Sequence, residues 1–193
     1  LHRHTTNVIV SERALNEIYL PAFKAAVVEG GVWAVMGSYN LYKDQHCCHN
    51  EYLTKILKDD WKFDGVLISD WGGAHDGTQA VNNGLDLEFG TTTDGLGTAV
   101  DNAYDSFYLS LPYLARLKSG KESVEVLDEK VRRVLRLQMR TNLAPNQPQG
   151  RFSCPEHSAA ARKIGGESIV LLKNEEHRLP LKAEGMKELL VIG

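Results

Sequence analysis

The sequence predicts an α/β protein whose strands run parallel, as βαβ units in a sheet or barrel. Three observations carry this. Short strand-like runs recur at Val32–Met36, Val66–Ile68 and Leu85–Phe89, the last alternating apolar and acidic residues. Helical patterns separate them, around Asn50–Trp61 and Asp76–Asn83. Glycines punctuate the joints, at Gly30-Gly31, Gly65, Gly72-Gly73 and Gly84. Near-continuous apolar strands such as Val32–Met36 and Val66–Ile68 are expected to be buried on both faces.

The elements follow in order. Residues 1–10 are polar and become extended through Val8-Ile9-Val10. Ser11 caps a helix in which Leu15, Ile18 and Tyr19 recur at helical spacing. Pro21 is expected to break it and start a second helix, with Phe23, Ala26 and Val27 on one face. The strand from Val32 closes on Ser38, Tyr39 and Asn40, and a loop runs to His49. Asn50 caps the helix carrying Leu53, Ile56, Leu57 and Trp61, which leads into the strand ending at Asp70-Trp71. After the third strand come a Gly/Thr loop over 91–98 and a helix from about Ala103 to Lys118. Ser123 caps a further helix whose stripe of Val124, Leu127, Val131, Val134 and Leu135 is expected to be buried. Its Lys130, Arg132, Arg133 and Arg136 are expected to form a solvated face. Pro145, Pro148 and Gly150 mark 142–154 as a linker. A helix then starts at Pro155 and reaches Gly165-Gly166, and two strands are expected at Ser168–Lys173 and Leu189–Ile192.

Composition narrows the function. The 193 residues are 42% hydrophobic and 24% charged, enough for a sizeable core. A net charge of -3, with no basic block, argues against a nucleic-acid partner. No apolar run reaches the roughly 18 residues of a membrane span. Three cysteines, two of them adjacent (Cys47 and Cys48), do not make a disulfide scaffold. Adjacent side chains rarely reach one tetrahedral centre, so His46-Cys47-Cys48-His49 is read as loop and buried residues rather than a metal site. Gly72-Gly73 lacks the spacing of a phosphate-binding loop and reads as a tight turn. No Gly-x-Ser-x-Gly elbow is present. What remains is a carboxylate (Asp70), an indole (Trp71), a phenol (Tyr39) and Met36, on strands or at strand ends, where α/β enzymes build their sites. An aromatic surface beside a carboxylate suits a sugar, whose C–H face packs on the ring while its hydroxyls take hydrogen bonds. Plain core positions for Trp71 and Tyr39 fit the pattern equally well.

Several stretches together resemble glycoside hydrolase family 3, the retaining β-glucosidases and related exo-acting enzymes. They are Val10–Arg13 with Tyr19–Phe23, Val35–Asn40, Trp61–Gly65, Ser69-Asp70-Trp71, Gly84–Glu88, Leu127–Leu135 and Ile169–Asn174. They occur in the family's order and cover nearly the whole chain.

The resemblance implies the C-terminal half of a TIM-like (β/α) barrel over residues 1–141, a linker over 142–154, and the start of an α/β sandwich domain over 155–193. It implies hydrolysis of terminal β-D-glucosidic bonds with retention, with Asp70 as nucleophile, Trp71 flanking the sugar, and Tyr39 and Met36 lining the subsite. No cofactor or metal is expected. The partners implied are a β-glucoside or oligosaccharide and the remainder of the same polypeptide, because the family's Lys-His pair falls before Arg3 and its acid/base Glu beyond Gly193. The chain alone is therefore expected to be an incomplete enzyme. The resemblance points to a periplasmic or secreted protein; the sequence itself leaves the compartment and the oligomeric state open. Two other readings use the same residues: a non-catalytic carbohydrate-binding module, and a relative acting on β-xylosides or N-acetyl-β-glucosaminides.

Overall fold

The structure is a computed structural model that describes residues 2–90, 105, 107–146, 150–182, 184–190 and 192. The expected 91–98 loop and the start of the expected Ala103 helix lie outside the described residues. The chain divides into two compact units, Leu1–Gln147 and Pro148–Gly193.

In the first unit, strand β1 (Asn7–Val8) is followed by helix α1 (Glu12–Ala14), a widened π turn (Leu15–Tyr19) and helix α2 (Leu20–Val28). Ser11 caps α1 by accepting the Ala14 N–H. The helix does not break at Pro21. Proline has no N–H for the ladder and crowds the carbonyl four residues back, and the π turn just before it absorbs that mismatch.

Strand β2 (Ala34–Gly37) pairs in parallel with the later strand β5, in the register Ala34↔Val66 to Gly37↔Ser69. Between them lies a small hairpin, β3 (Leu41–Tyr42) and β4 (Gln45–His46), which the sequence reading took for plain loop. Lys43 and Asp44 both adopt positive φ at its tip, as a two-residue turn of this hand requires. β1 joins β3 in parallel. A short 3-10 turn (Cys47–His49) then leads to helix α3 (Glu51–Lys55), capped by Asn50, and a second π turn (Ile56–Asp60).

β5 (Val66–Ser69) is followed by helix α4 (Gly77–Asn82). The expected third strand is reduced to one parallel bridge, Ile68↔Leu87. Three chain segments thus run parallel in succession, each linked by a helix, which is the βαβ order.

Leu57, Phe63, Leu67, Ala74, Ala80 and Leu85 form the core, with Val27, Val35 and Trp61 packed against it. Val35 and Leu67 lie on this helix-facing side. Strand alternation therefore turns Met36 and Ile68 to the opposite face. The expectation of burial on both faces holds for Val66 and Leu67 but fails for Val32–Met36, where Val32, Trp33 and Met36 are exposed. Among the described residues β2 pairs only with β5, at one edge.

Helix α5 spans Leu111–Lys118, and the described residues 107–110 just before it are not helical. Helix α6 (Val124–Arg140) is capped by Ser123 as expected, yet its orientation corrects the sequence reading. Val124, Val131 and Leu135 are exposed, whereas Lys130 is 5% exposed. The Lys130 ammonium donates to the Leu85 carbonyl at 2.6 Å, and Arg133 donates to the Phe63 and Gly65 carbonyls, both at 2.9 Å. These carbonyls sit at or before the N-terminal ends of parallel segments and lack ladder partners there. A buried carbonyl needs a donor, so α6 turns two of its cations inward.

In the second unit, helix α7 (Pro155–Glu167) starts at Pro155. The expected strands at Ser168–Lys173 and Leu189–Ile192 are not present among the described residues; Val191 lies outside them. A strand is defined by its ladder, and these segments have no partner: Ile169 to Leu172 are largely exposed.

Candidate active site

The site is built where β2 and β5 end. Asp70 follows β5, and its carboxylate Oδ1 accepts the Trp71 backbone N–H at 2.7 Å. Tyr39 follows β2. Burial, and then the nearby Asp70 carboxylate, push its phenol's pKa up, so it stays protonated. Parallel pairing of the two strands brings these residues, far apart in sequence, to adjacent ends.

The Trp71 indole stands 66% exposed and stacks on Phe89, with ring centroids 5.8 Å apart and an interplanar angle of 19°. A flat apolar surface therefore lies open next to the carboxylate. Met36 is also exposed, on the face opposite the core. Tyr39 and Asp70 are brought to adjacent strand ends, Trp71 follows Asp70, and Met36 lies three residues before Tyr39 on β2.

The turn after Asp70 is tight. Gly73 N–H donates to the Asp70 carbonyl at 3.0 Å, and Gly72 N–H donates to the carbonyls of Phe89 and Gly90. These amides are already used, so the turn is not an anion cradle. A Cβ at Gly73 would sit 2.6 Å from the Cys48 sulfur, and one at Gly37 would sit 2.5 Å from the Cys48 Cα. Cys48 is fully buried between the two strand ends, its thiol donating to the Gly37 carbonyl at 3.2 Å. Burial pushes that thiol's pKa up to about 11, which leaves it unreactive packing material.

Sequence reasoning missed two features. Arg3 and His4 flank Tyr39: the guanidinium lies 4.8 Å from the ring centroid and the imidazole centroid 4.1 Å away. No local pattern signals this, because the N-terminal segment reaches Tyr39 only through the β1–β3 pairing. The second is the polarity of the third segment's end. Ser69 Oγ accepts the Phe89 N–H at 2.8 Å, and Glu88 Oε2 accepts the Leu109 N–H at 2.7 Å. Burial raises the Glu88 pKa, while the amides of Leu109 and Tyr108 oppose the shift. Glu88 Oε1 is itself buried.

Residues 1–137 match the profile described as the Glycosyl hydrolase family 3 N terminal domain. The chain belongs to glycosyl hydrolase family 3. It is 44% identical to Beta-glucosidase BoGH3A of Bacteroides ovatus, over all of this chain and 27% of that protein. It is 36% identical to Thermostable beta-glucosidase B of Acetivibrio thermocellus, over 95% of this chain and 22% of that protein. Among solved structures it resembles beta-glucosidase 3B of Thermotoga neapolitana in complex with α-D-glucose, with a TM-score of 0.70 and 33% identity over 93% of this chain and 24% of that one. The chain thus spans about a quarter of the length of these relatives. The barrel-like α/β fold of this family domain accounts for the parallel order seen here, although the described strands do not close a barrel.

Proposed function

We propose that this chain carries the nucleophile side of a retaining β-glucosidase centre. The observation that supports it is the parallel register that sets the Asp70 carboxylate and the Tyr39 phenol at neighbouring strand ends, with the open Trp71 indole beside them. Asp70 attacks the anomeric carbon of a terminal β-D-glucosyl unit and forms a glycosyl ester, and the aglycone leaves as an alcohol once its oxygen is protonated. Water then cleaves the ester and regenerates the carboxylate. The Trp71 amide donates a hydrogen bond that aims the Asp70 carboxylate, and the Tyr39 phenol stands at the neighbouring strand end as a further donor. Trp71 packs against the sugar, and Met36 lines its subsite.

The second carboxyl group of a retaining pair stands about 5–5.5 Å away. Glu88 does not suit that role, because its Oε2 is bonded to the 109 amide and its Oε1 is buried from solvent. We assign the acid/base outside residues 1–141, which we take as barrel, with 142–154 a linker and 155–193 the start of a second domain.

Proton NMR of the first product formed from a β-glucoside by the intact protein tests this reading. β-Glucose appearing before mutarotation is the expected result. α-Glucose as the first product would contradict the double displacement. Trp71→Ala is expected to weaken glucose binding by about 1–3 kcal/mol, the scale of a large apolar side chain. Calorimetry would measure it, and unchanged affinity would place the indole away from the sugar.

A further inference from the structure

The turn that carries Asp70 and Trp71 contains two adjacent glycines, with Gly72 at φ 67°. Such a backbone has little conformational preference of its own, so its far end must be tied down from outside. The tie is His49. Its ring is 1% exposed and bridges two elements. The His75 backbone N–H points at His49 Nε2 at 3.1 Å, and His49 Nδ1 lies 3.1 Å from Gln79 Oε1 on α4. A third bond, from the Asn83 amide to the His49 carbonyl at 2.9 Å, fixes the backbone beneath the ring.

The chemistry of these bonds selects one form of the imidazole. A backbone N–H can only donate, so Nε2 must present its lone pair. The proton then sits on Nδ1 and is donated to Gln79. An imidazolium would set a ring N–H against the His75 N–H. We propose that His49, as the neutral Nδ1–H tautomer, is a positioning residue for Asp70 and Trp71, holding their turn against α4. The proposal rests on the reading of Asp70 as nucleophile.

The surroundings favour the neutral ring. Burial and then the nearby His46, at 5.8 Å between centroids, hold the His49 pKa below the usual imidazole range; a backbone bond, the Gln79 bond and then Asp76 oppose them. Cys48 beside it is a protonated thiol. His75 stacks on His46 at 3.9 Å and faces His4 at 6.5 Å. Desolvation and the charges of His46, His49 and His4 push His75 down to about 4. Because the folded pKa of His49 lies below its unfolded value, the stabilisation from the neutral ring is complete above the unfolded pKa. It is lost as pH falls through the folded one.

The test compares the intact wild-type protein with His49→Leu and His49→Gln. It reads kcat and KM for an aryl β-glucoside across pH, together with hydrogen exchange at the His75 amide. Leucine fills the space without an acceptor, and kcat is expected to fall about 10²-fold, the scale of misplacing a reacting group, with faster exchange at His75. Glutamine can accept the His75 N–H without titrating. It is expected to keep most of kcat and to lose the acid-side inflection that His49 gives the wild type. Wild-type kcat and unchanged exchange in His49→Leu would overturn the proposal. So would a His49→Gln variant that keeps the wild-type acid inflection, and this arm decides if the leucine variant does not fold. A wild-type protein inactive on β-glucosides would overturn the functional reading instead, while the exchange measurement still reports on the His49 tie.

Discussion

Asp70→Ala is expected to lower kcat/KM for an aryl β-glucoside by about 10⁶-fold, the scale of removing a covalent nucleophile. The fold should survive, because Asp70 is half-buried at a strand end and its partner, the exposed Trp71 N–H, can turn to water. The change opens space beneath the anomeric carbon. Added azide should occupy it and displace the aglycone directly from that face, giving an α-glucosyl azide. A β-glucosyl azide would mean that another carboxylate still forms the covalent intermediate. A loss of less than about tenfold would mean that Asp70 is not on the reaction path.

The second large effect concerns stability. Asp86 is 6% exposed and collects the charges at the opposite strand ends. Both its oxygens accept from Lys58 at 2.7 Å, and Oδ2 also accepts the Leu67 N–H at 2.8 Å. Arg133 lies 4.0 Å away. Burial lowers the Lys58 pKa and pushes Lys130 down to about 8, and in both cases Asp86 is the first group opposing the shift. Asp86→Leu leaves buried cations and one buried amide without their acceptor, and is expected to cost about 3–5 kcal/mol. Urea unfolding followed through Trp61 in the core would measure this. The double variant Asp86→Leu with Lys58→Met should recover part of the loss, since it removes the uncompensated charge. The sign of the pH dependence also follows. A lysine whose folded pKa lies below its unfolded value destabilises less as pH rises between the two. The cost of Asp86→Leu should therefore shrink from neutral pH towards about pH 10. A cost that is independent of pH would mean that the lysines are not what Asp86 compensates.

Features with local causes were legible in the sequence. Ser11, Asn50 and Ser123 cap their helices as read, because a cap bonds within three residues. Asp70 and Trp71 were placed at a strand end by the glycines around them. The parallel order followed from the alternation of strand and helix. The misreadings have non-local causes. Lys130 and Arg133 look like a solvated face only if nothing across the interface needs a donor, and the unpaired carbonyls of Phe63, Gly65 and Leu85 do. The hairpin at Lys43-Asp44 lacks the Asn-Gly signature that would announce it. His49 looked like part of an unremarkable cysteine-histidine run. Its meaning lies in partners 26 and 30 residues further along, which no window on the sequence brings together.

The central claim is that Asp70 becomes covalently bonded to the sugar. The direct test is to inactivate the intact protein with an activated 2-fluoro-β-glucoside, whose ester intermediate turns over slowly, and to locate the label by mass spectrometry. No lysine or arginine lies between Lys62 and Arg116, so trypsin leaves Asp70, Asp86 and Glu88 on one peptide. Fragmentation within that peptide must resolve them. The account predicts one fluoroglucosyl group on Asp70. A label on Glu88, or on a peptide outside Phe63–Arg116, would contradict it.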